Sequence, residues 1–588
     1  MVKSAGTGPG ERQLLGPQTT GRVYRNLSAP QYAIQHHYDL AVPMRDGVHL
    51  RADLYQPRAP GRFPALVAIS PYARQAQYLS MPVGMIEAGQ TDFWVPRGYV
   101  HLIANVRGTC GSEGIYAFGS VEEHRDLYDL IEWVAAQDWC DGNVGMIGVS
   151  YFAIEQLYAA LAQPPHLRAI FPWSGTIDWY REVIWHGGIF SGRFFGLYFN
   201  TLGMVSKRGG AFFRAPFFRF ANWILKQPLI HQRFSHPPRD PFKVFNSALF
   251  LDYPPHPWDD IFYQVAVEHQ LYDRFWQERD ISDRLQAIRI PIYLGADWEN
   301  VGVHLNSPFL ALERLAPDAR WRVGITPRGG LQWPWESMHL EALAWYDHWL
   351  KGRDTGIMEG PPIRYFLEGA GEWRATESWP LPETRWVDLW LDAEGMLSVH
   401  RPQPGWRDYL CLPPTIRRAR NTNRPLIPTM LAWDSVPFTQ PVEIIGPLVL
   451  YLEARSTATD TDWIVKLCLV TAAGAVHDLT QGWLRASHRA VDNTRSKFYR
   501  PYHPHDHMDP LVPGKTTAFA IEILPIAQRF DPGSRLRLLL TSVDSDRFAM
   551  QALSHYPLGL PACNTVLSTS RLMVPLISGS LPGANDRP

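Results

Sequence analysis

A chain of 588 residues exceeds what a single hydrophobic core holds, so two or three domains are expected. Apolar residues make up 46% and charged residues 19%, the balance of an ordinary globular protein. Lys+Arg number 56 against 57 Asp+Glu, which leaves no global field for nucleic acid or an anionic membrane and favours small neutral or mixed substrates.

The first apolar runs alternate with helical segments from Tyr38 to Trp173, the rhythm of βαβ units. Val48–Tyr55, Pro64–Ser70 and Tyr99–Val106 read as strands, and Glu122–Gln137 as a helix with an acidic start and apolar positions at Leu127, Leu130, Ile131 and Val134. Val144–Gly148 is the next strand and Ile154–Leu161 the next helix. Between them, Ser150 stands at the apex of a strand, a sharp turn and a helix, the grammar that lifts a nucleophilic hydroxyl above a parallel sheet. The five-residue elbow pattern ends in glycine and this chain has Phe152 there, so context must carry the reading.

From Thr176 to Leu285 the chain is aromatic and poor in strand signal, which suits a helical cap over the catalytic face. The sheet resumes at Ile288–Gly295 and Trp321–Ile325, followed by a Pro/Gly loop and a helix over Glu336–Leu350 that stops at Lys351-Gly352. Beyond Pro361, strands such as Val387–Leu391, Pro447–Ala454, Trp463–Val470, Thr517–Ile523 and Arg535–Thr541, punctuated by Pro, Gly and Asp, predict a β-sandwich. The expected division is an N-terminal extension over 1–30, an α/β core over 31–175 and 286–360, a cap over 176–285 and an all-β domain over 361–588.

The five cysteines are odd in number and widely spaced with no metal-like pair, so they are expected to be reduced and mostly buried, with no metal site. The His36-His37 pair and the His503, His505, His507 cluster lack a ligand-spaced partner and read as loops. The absence of a membrane-spanning apolar run, and of a signal-peptide core in Met1–Gly21, makes a cytoplasmic location the expectation.

Several short motifs in order resemble the CocE/NonD family of serine hydrolases, relatives of the X-Pro dipeptidyl peptidases. They are Met44-Arg45-Asp46-Gly47-Val48, Ser70-Pro71-Tyr72, Asn105-Val106-Arg107-Gly108, Gly148-Val149-Ser150-Tyr151, Tyr346-Asp347-His348-Trp349-Leu350-Lys351-Gly352 and Gly482-Trp483-Leu484-Arg485-Ala486-Ser487-His488-Arg489. The resemblance runs from Tyr38 to about Pro575. It implies an α/β-hydrolase core, a helical cap and a C-terminal jelly roll.

On this resemblance Ser150 is the nucleophile, and the oxyanion hole is the Tyr151 backbone N–H with the Tyr72 phenol. Arg107 braces a loop. The family acid falls on Glu299, with Asp297 as the alternative that keeps the aspartate. The family histidine falls on Arg328, and a guanidinium is no general base near neutral pH. His339 is then the expected base in the chain order Ser, acid, His; His304 is the weaker option and His348 a structural residue. Trp179, Trp185 and Phe194 are candidates for an apolar pocket.

The expected function is hydrolysis of a small-molecule ester or amide through Ser150, with no cofactor, no nucleic acid and no membrane partner, and with a homodimer compatible with the sequence. X-Pro dipeptidyl-peptidase chemistry is the narrower alternative. A hydrolase-fold binder that has lost catalysis is the rival that Arg328 motivates, and a carbohydrate-binding role for the sandwich is a third view.

Overall fold

The structure is a computed structural model that describes residues 14, 16–77, 87–192, 194–196, 198, 216–225, 227, 229–230, 257–329, 337–412, 428–543 and 555–581. Its first sheet contains β1 (Ile34–Pro43), β2 (His49–Pro57), β3 (Phe63–Ser70), β4 (Val100–Asn105), β5 (Cys140–Met146) and β6 (Leu167–Ile170). A short hairpin, β7 (Trp185–His186) and β8 (Ile189–Phe190), stands apart. The sheet then continues with β9 (Ile292–Asp297), β10 (Trp321–Thr326), β11 (Ile363–Leu367) and β12 (Glu372–Thr376).

The spatial order is β1-β2-β4-β3-β5-β6-β9-β10-β11-β12, parallel from β4 to β11 and antiparallel at both edges. Parallel strands need both faces covered, which is why β3, β4 and β9 are buried along almost their whole length rather than alternating. The C-terminal ends of β3, β5, β9 and β10 therefore open onto one edge of the sheet, where Tyr72, Ser150, Asp297 and Arg328 follow.

The expected strands and helices of this half are present with shifted ends, including the helices Val121–Ala135, Tyr151–Ala162 and His339–Trp349. Ser120 caps the first by a reciprocal capping box with Glu123. The expected domain edge at 361 falls inside the sheet: β11 pairs in parallel with β10 and carries β12, so the α/β layer runs on to Thr376. Ile363, Tyr365 and Leu367 are buried while Arg364 and Phe366 are half-buried, and this alternation looks the same in sequence as a sandwich strand. The N-terminal segment is no loose extension in its described part. Thr20 donates from its N–H and its hydroxyl to the buried Glu341 carboxylate, which also accepts from the Tyr24 and Tyr293 hydroxyls.

In the stretch 176–285, expected as a cap, the described residues hold the β7/β8 hairpin and the helices Pro216–Leu225, Pro257–Tyr263 and Arg274–Arg279. Phe199 and the stretches 199–215 and 231–256 lie outside the described residues. Among the described residues the C-terminal domain is all-β: eleven strands from Arg385–Leu391 to Arg571–Ser578 form one hydrogen-bonded network, in which Val442–Ser456 pairs with both Thr517–Phe530 and Arg571–Ser578. It has its own core, with Trp433, Trp463, Phe519 and Phe530. Ile445, Ile464, Trp483, Leu524 and Ala527 instead join the α/β core, and the Glu368 backbone exchanges two hydrogen bonds with Ala527 and Arg529, so the two domains share apolar contact and ladder.

The sheet edge below the site is shaped by the buried indole of Trp173. A Cβ on Gly295 would lie 2.2 Å from that ring, and one on Gly324 would lie 3.0 Å from it, so both strands approach only because they lack side chains there. Gly295→Ala is expected to lower stability by about 1–3 kcal/mol through overpacking, read as a lower midpoint in thermal or urea unfolding.

Candidate active site

Ser150 has φ 58° and ψ −122°, a conformation few non-glycine residues adopt, and it immediately precedes the helix Tyr151–Ala162. Several bonds hold it there. The Ser150 N–H donates to Trp173 O at 3.3 Å, the Phe152 N–H to Val149 O, and Gln156 Nε2 to Gly148 O at 3.0 Å. Gly148 has φ 125°, and a Cβ on it would meet Phe152 Cβ at 2.5 Å. The bulk at Phe152 that breaks the sequence pattern is thus accommodated by the glycine before the turn. Ser150 remains partly exposed at the apex.

The imidazole against the Ser150 hydroxyl is that of His304, with Nε2 3.2 Å from Oγ. The Nδ1 atom lies 3.1 Å from Gly175 O and 3.2 Å from Thr176 Oγ1, whose own proton goes to Val303 O. Both neighbours of Nδ1 therefore accept, the proton sits on Nδ1, and Nε2 is left to accept from Ser150. His304 stands on a turn just after β9, where Asn300 O receives the N–H groups of Val303, His304 and Leu305. Burial lowers its pKa to about 4, offset in part by the bond to Gly175 O.

His339, the expected base, is elsewhere. Its Nδ1 donates to Ser337 O at 3.0 Å, its Nε2 accepts from the Gln90 N–H at 3.2 Å, and Phe93 and Trp94 pack on the ring. The helix that starts at His339 is pinned by the Met338 and Glu341 N–H bonds to Pro17 O and Gln18 O, which keeps this imidazole in the protein interior. Gly330, in the loop expected to deliver it, lies outside the described residues.

Glu299 is not placed against an imidazole. Its Oε2 accepts from the Gly329 N–H at 2.6 Å, tying the end of β9 to the loop after β10. Arg328, on the family's histidine position, donates its N–H to Glu368 Oε1 at 2.8 Å and its guanidinium to Leu479 O in the C-terminal domain. Together these bonds clasp the loop after β10 to β9 and to the C-terminal domain. Asp297 is buried beneath it: Oδ1 accepts from the Glu299 N–H, Oδ2 has no partner among the described residues, and burial together with Glu299 pushes the carboxyl up to about 7.

Tyr72 follows β3 in a turn braced by Asn105 Nδ2, which donates to Ser70 O and Tyr72 O. Its ring packs against Tyr151 and Phe152, and its hydroxyl shares a 3.2 Å hydrogen bond with the Tyr198 hydroxyl. Burial holds the phenol well above its ordinary pKa, so it stays protonated. The Tyr151 hydroxyl accepts from Tyr116 at 2.9 Å and reaches toward Glu123. Its backbone N–H, at the first turn of the helix, makes no recorded intramolecular bond among the described residues. Arg107 forks onto Asp126 and reaches Asp46, the brace expected of it.

Of the pocket candidates, Trp179 donates to the Tyr158 hydroxyl and packs against Tyr151, and Phe194 stacks on Tyr198. Trp185 instead donates to Val265 O and stacks on Tyr180, within the cap. A cavity of about 110 Å³ where cap, core and sandwich meet is bordered by His304, Glu182, Trp483, Glu522 and Leu524. Tyr198 and Thr176 carried no signal in sequence. His304 did, by following β9 in the right chain order.

Residues 46–324 match the X-Pro dipeptidyl-peptidase (S15) family and residues 355–556 its C-terminal non-catalytic domain. A cocaine esterase of Rhodococcus sp. (strain MB1 Bresler) is 27% identical over 572 residues, covering 87% of this chain and 91% of its own. A CocE/NonD family hydrolase from Staphylococcus aureus superposes with TM-score 0.72 at 22% identity, over 96% of this chain and 98% of its own. The chain belongs to the CocE/NonD, X-Pro dipeptidyl-peptidase-like hydrolases. Within that family fold, a second superposition, on an aminopeptidase from a Thaumarchaeota archaeon, reaches TM-score 0.69 at 19% identity over 98% of this chain and 99% of its own. In this CocE/NonD hydrolase the S15 match ends at Gly324, four residues before Arg328.

Because Asp297 is harder to ionise folded than unfolded, its contribution to stability is full below about pH 4 and is lost as pH rises through about 7. Asp297→Asn is expected to remove that component. Unfolding free energies of the two proteins, measured from pH 4 to 8, should diverge by up to about 4 kcal/mol in favour of the variant as pH rises.

Proposed function

We propose that this hydrolase cleaves an ester or amide acyl bond with Ser150 as nucleophile and His304 as general base, in a site whose acid has been replaced by the carbonyl of Gly175 and the hydroxyl of Thr176. The observation that carries this reading is the 3.2 Å approach of His304 Nε2 to Ser150 Oγ, with Nδ1 held by acceptors only. As Oγ attacks the carbonyl, its proton passes to Nε2, and the same imidazolium then returns it to the leaving group. The Tyr151 N–H and the Tyr72 phenol are the donors for the developing oxyanion. The Tyr72 and Tyr198 hydroxyls share one hydrogen bond, and when Tyr198 donates it the Tyr72 proton is available to that oxyanion.

A neutral carbonyl orients an imidazole but stabilises its charged form less than a carboxylate does. With a base whose pKa lies near 4, proton abstraction is weakly driven, so slow turnover is expected of a neutral ester and little of an amide. The same placement favours ester over X-Pro dipeptide substrates. A substrate α-amine needs an ionised carboxylate, whereas burial makes Glu182 beside the cavity harder to ionise and Asp178 is taken by Arg181. We read residues 176–285 as the cap and the C-terminal strands as a jelly roll that buttresses it.

Hydrolysis of short acyl p-nitrophenyl esters tests the assignment. Ser150→Ala should fall to background, His304→Gln should lose about 10²–10⁴-fold in kcat, and His339→Gln should keep activity if folding is intact. Equal loss in His339→Gln and none in His304→Gln would reverse the assignment. The absence of turnover and of fluorophosphonate labelling at Ser150 in the parent protein would favour a binder.

Activity requires neutral His304, so the acid limb of kcat/KM should fall near pH 4 rather than near 6.5, measured down to the acid limit of folding. Tyr198→Phe should lower kcat about tenfold with KM little changed, and should add nothing in a Tyr72→Phe background.

A further inference from the structure

Arg74 stands two residues beyond Tyr72, at the start of the short helix Arg74–Gln77, and is turned into the protein with 2% of its surface exposed. Four segments bring acceptors to its guanidinium. Nε donates to Asp53 Oδ1 in β2 at 3.1 Å, and Nη2 donates to Asp39 Oδ1 in β1. Nη1 donates to Asn105 Oδ1, at the end of β4, at 3.0 Å and to Cys110 O at 2.8 Å. Two of these acceptors come from unusual backbone: Asp39 has φ 62° and stands where the register between β1 and β2 shifts, and Cys110 has φ 48°. Residues other than glycine seldom enter that left-handed region, and a bulge re-aims a side chain. Both distortions end on the same guanidinium.

Asn105 carries the connection onward. A guanidinium has donors only, so the amide oxygen of Asn105 is the atom that faces Arg74 and Nδ2 is turned to the loop, where it donates to Ser70 O at 3.1 Å and to Tyr72 O at 2.6 Å. The Tyr72 N–H is closed onto Ser70 Oγ at 3.0 Å. The turn that carries the Tyr72 phenol is thus held by an amide that Arg74 orients.

We infer that Arg74 is a positioning residue for the reaction: through Asn105 it fixes the turn that aims the Tyr72 O–H at the oxyanion, without touching substrate itself. The inference rests on the reading of Tyr72 as an oxyanion donor. Arginine is needed rather than any cation, because three nitrogens in one plane meet acceptors from four segments, which an ammonium on a flexible stem does not reproduce. A displaced donor weakens stabilisation of the oxyanion while substrate binding is retained, so the loss falls on kcat.

Steady-state hydrolysis of a short acyl p-nitrophenyl ester by the full chain tests this, with Arg74→Lys, Asn105→Asp and Tyr72→Phe measured singly and in pairs. Asn105→Asp is nearly isosteric, keeps oxygens for Arg74 and loses both donors to the turn. Arg74→Lys and Asn105→Asp should each lower kcat about tenfold with KM within about twofold, and neither should lower kcat further in the Tyr72→Phe background. Should Arg74→Lys not fold, Asn105→Asp completes the same cycle.

A residue that only holds the fold would lower the thermal midpoint and multiply its loss with that of Tyr72→Phe. Such multiplication, a loss carried by KM, or full kcat in either Arg74→Lys or Asn105→Asp overturns the inference and leaves Tyr72 in its role. Full kcat in Tyr72→Phe overturns the reading of Tyr72 and the inference with it.

Discussion

The position of one proton on His304 decides how its imidazole meets the Ser150 hydroxyl. Gly175 O and Thr176 Oγ1 can only accept where they meet Nδ1, because the Thr176 hydrogen is already committed to Val303 O. That leaves Nε2 basic and turned to Ser150. The arrangement depends in turn on the tight turn after β9, which brings the imidazole back over the sheet edge, and on the backbone of Gly175 just past the Trp173 bridge between β9 and the serine turn. Orientation is thus supplied by main chain where the family uses a carboxylate.

Glu299 and Arg328, on which the resemblance places the acid and the base, make structural contacts. Glu299 holds the loop after β10 through the Gly329 N–H, and Arg328 reaches Glu368 on one side and Leu479 of the sandwich on the other. The Arg328 main-chain N–H makes the contact to Glu368 and its guanidinium the one to Leu479. The consequence for Asp297 is burial under the clasp with one oxygen unpartnered among the described residues, an expensive place for a carboxylate and the reason its proton is retained.

On the Tyr72 side of Ser150, phenols take up much of the polar surface. Tyr72 with Tyr198, and Tyr116 with Tyr151, hydrogen-bond in pairs beside the nucleophile turn, and Glu123 accepts at the far end. Burial keeps these hydroxyls protonated, so they act as donors of fixed polarity in a region of low dielectric. The residue that links this cluster to the stretch expected as a cap is Tyr198, the partner of Tyr72.

Much of the frame was legible in the sequence, because it rests on local pattern. Alternation and apolar runs predicted most of the parallel strands, the acidic start and 3.6-residue spacing predicted the helix Val121–Ala135, and the strand-turn-helix grammar located Ser150 despite Phe152. The strand next to the C-terminal edge was the exception: β11 alternates as a sandwich strand does, and only its pairing with β10 assigns it to the α/β sheet. The identity of the imidazole facing Ser150 was also beyond local pattern. His304 and His339 both follow β9 in chain order, and each is a lone histidine near a turn. Which of them meets the serine was decided by long-range packing: the N-terminal segment pins the start of the His339 helix through Pro17 and Gln18, and the Asn300 turn swings His304 toward Gly175. Residue type and spacing determined which groups were able to do the chemistry; three-dimensional contacts between distant segments decided which of them meet, since a hydrogen bond depends on ångström distances that sequence separation does not encode.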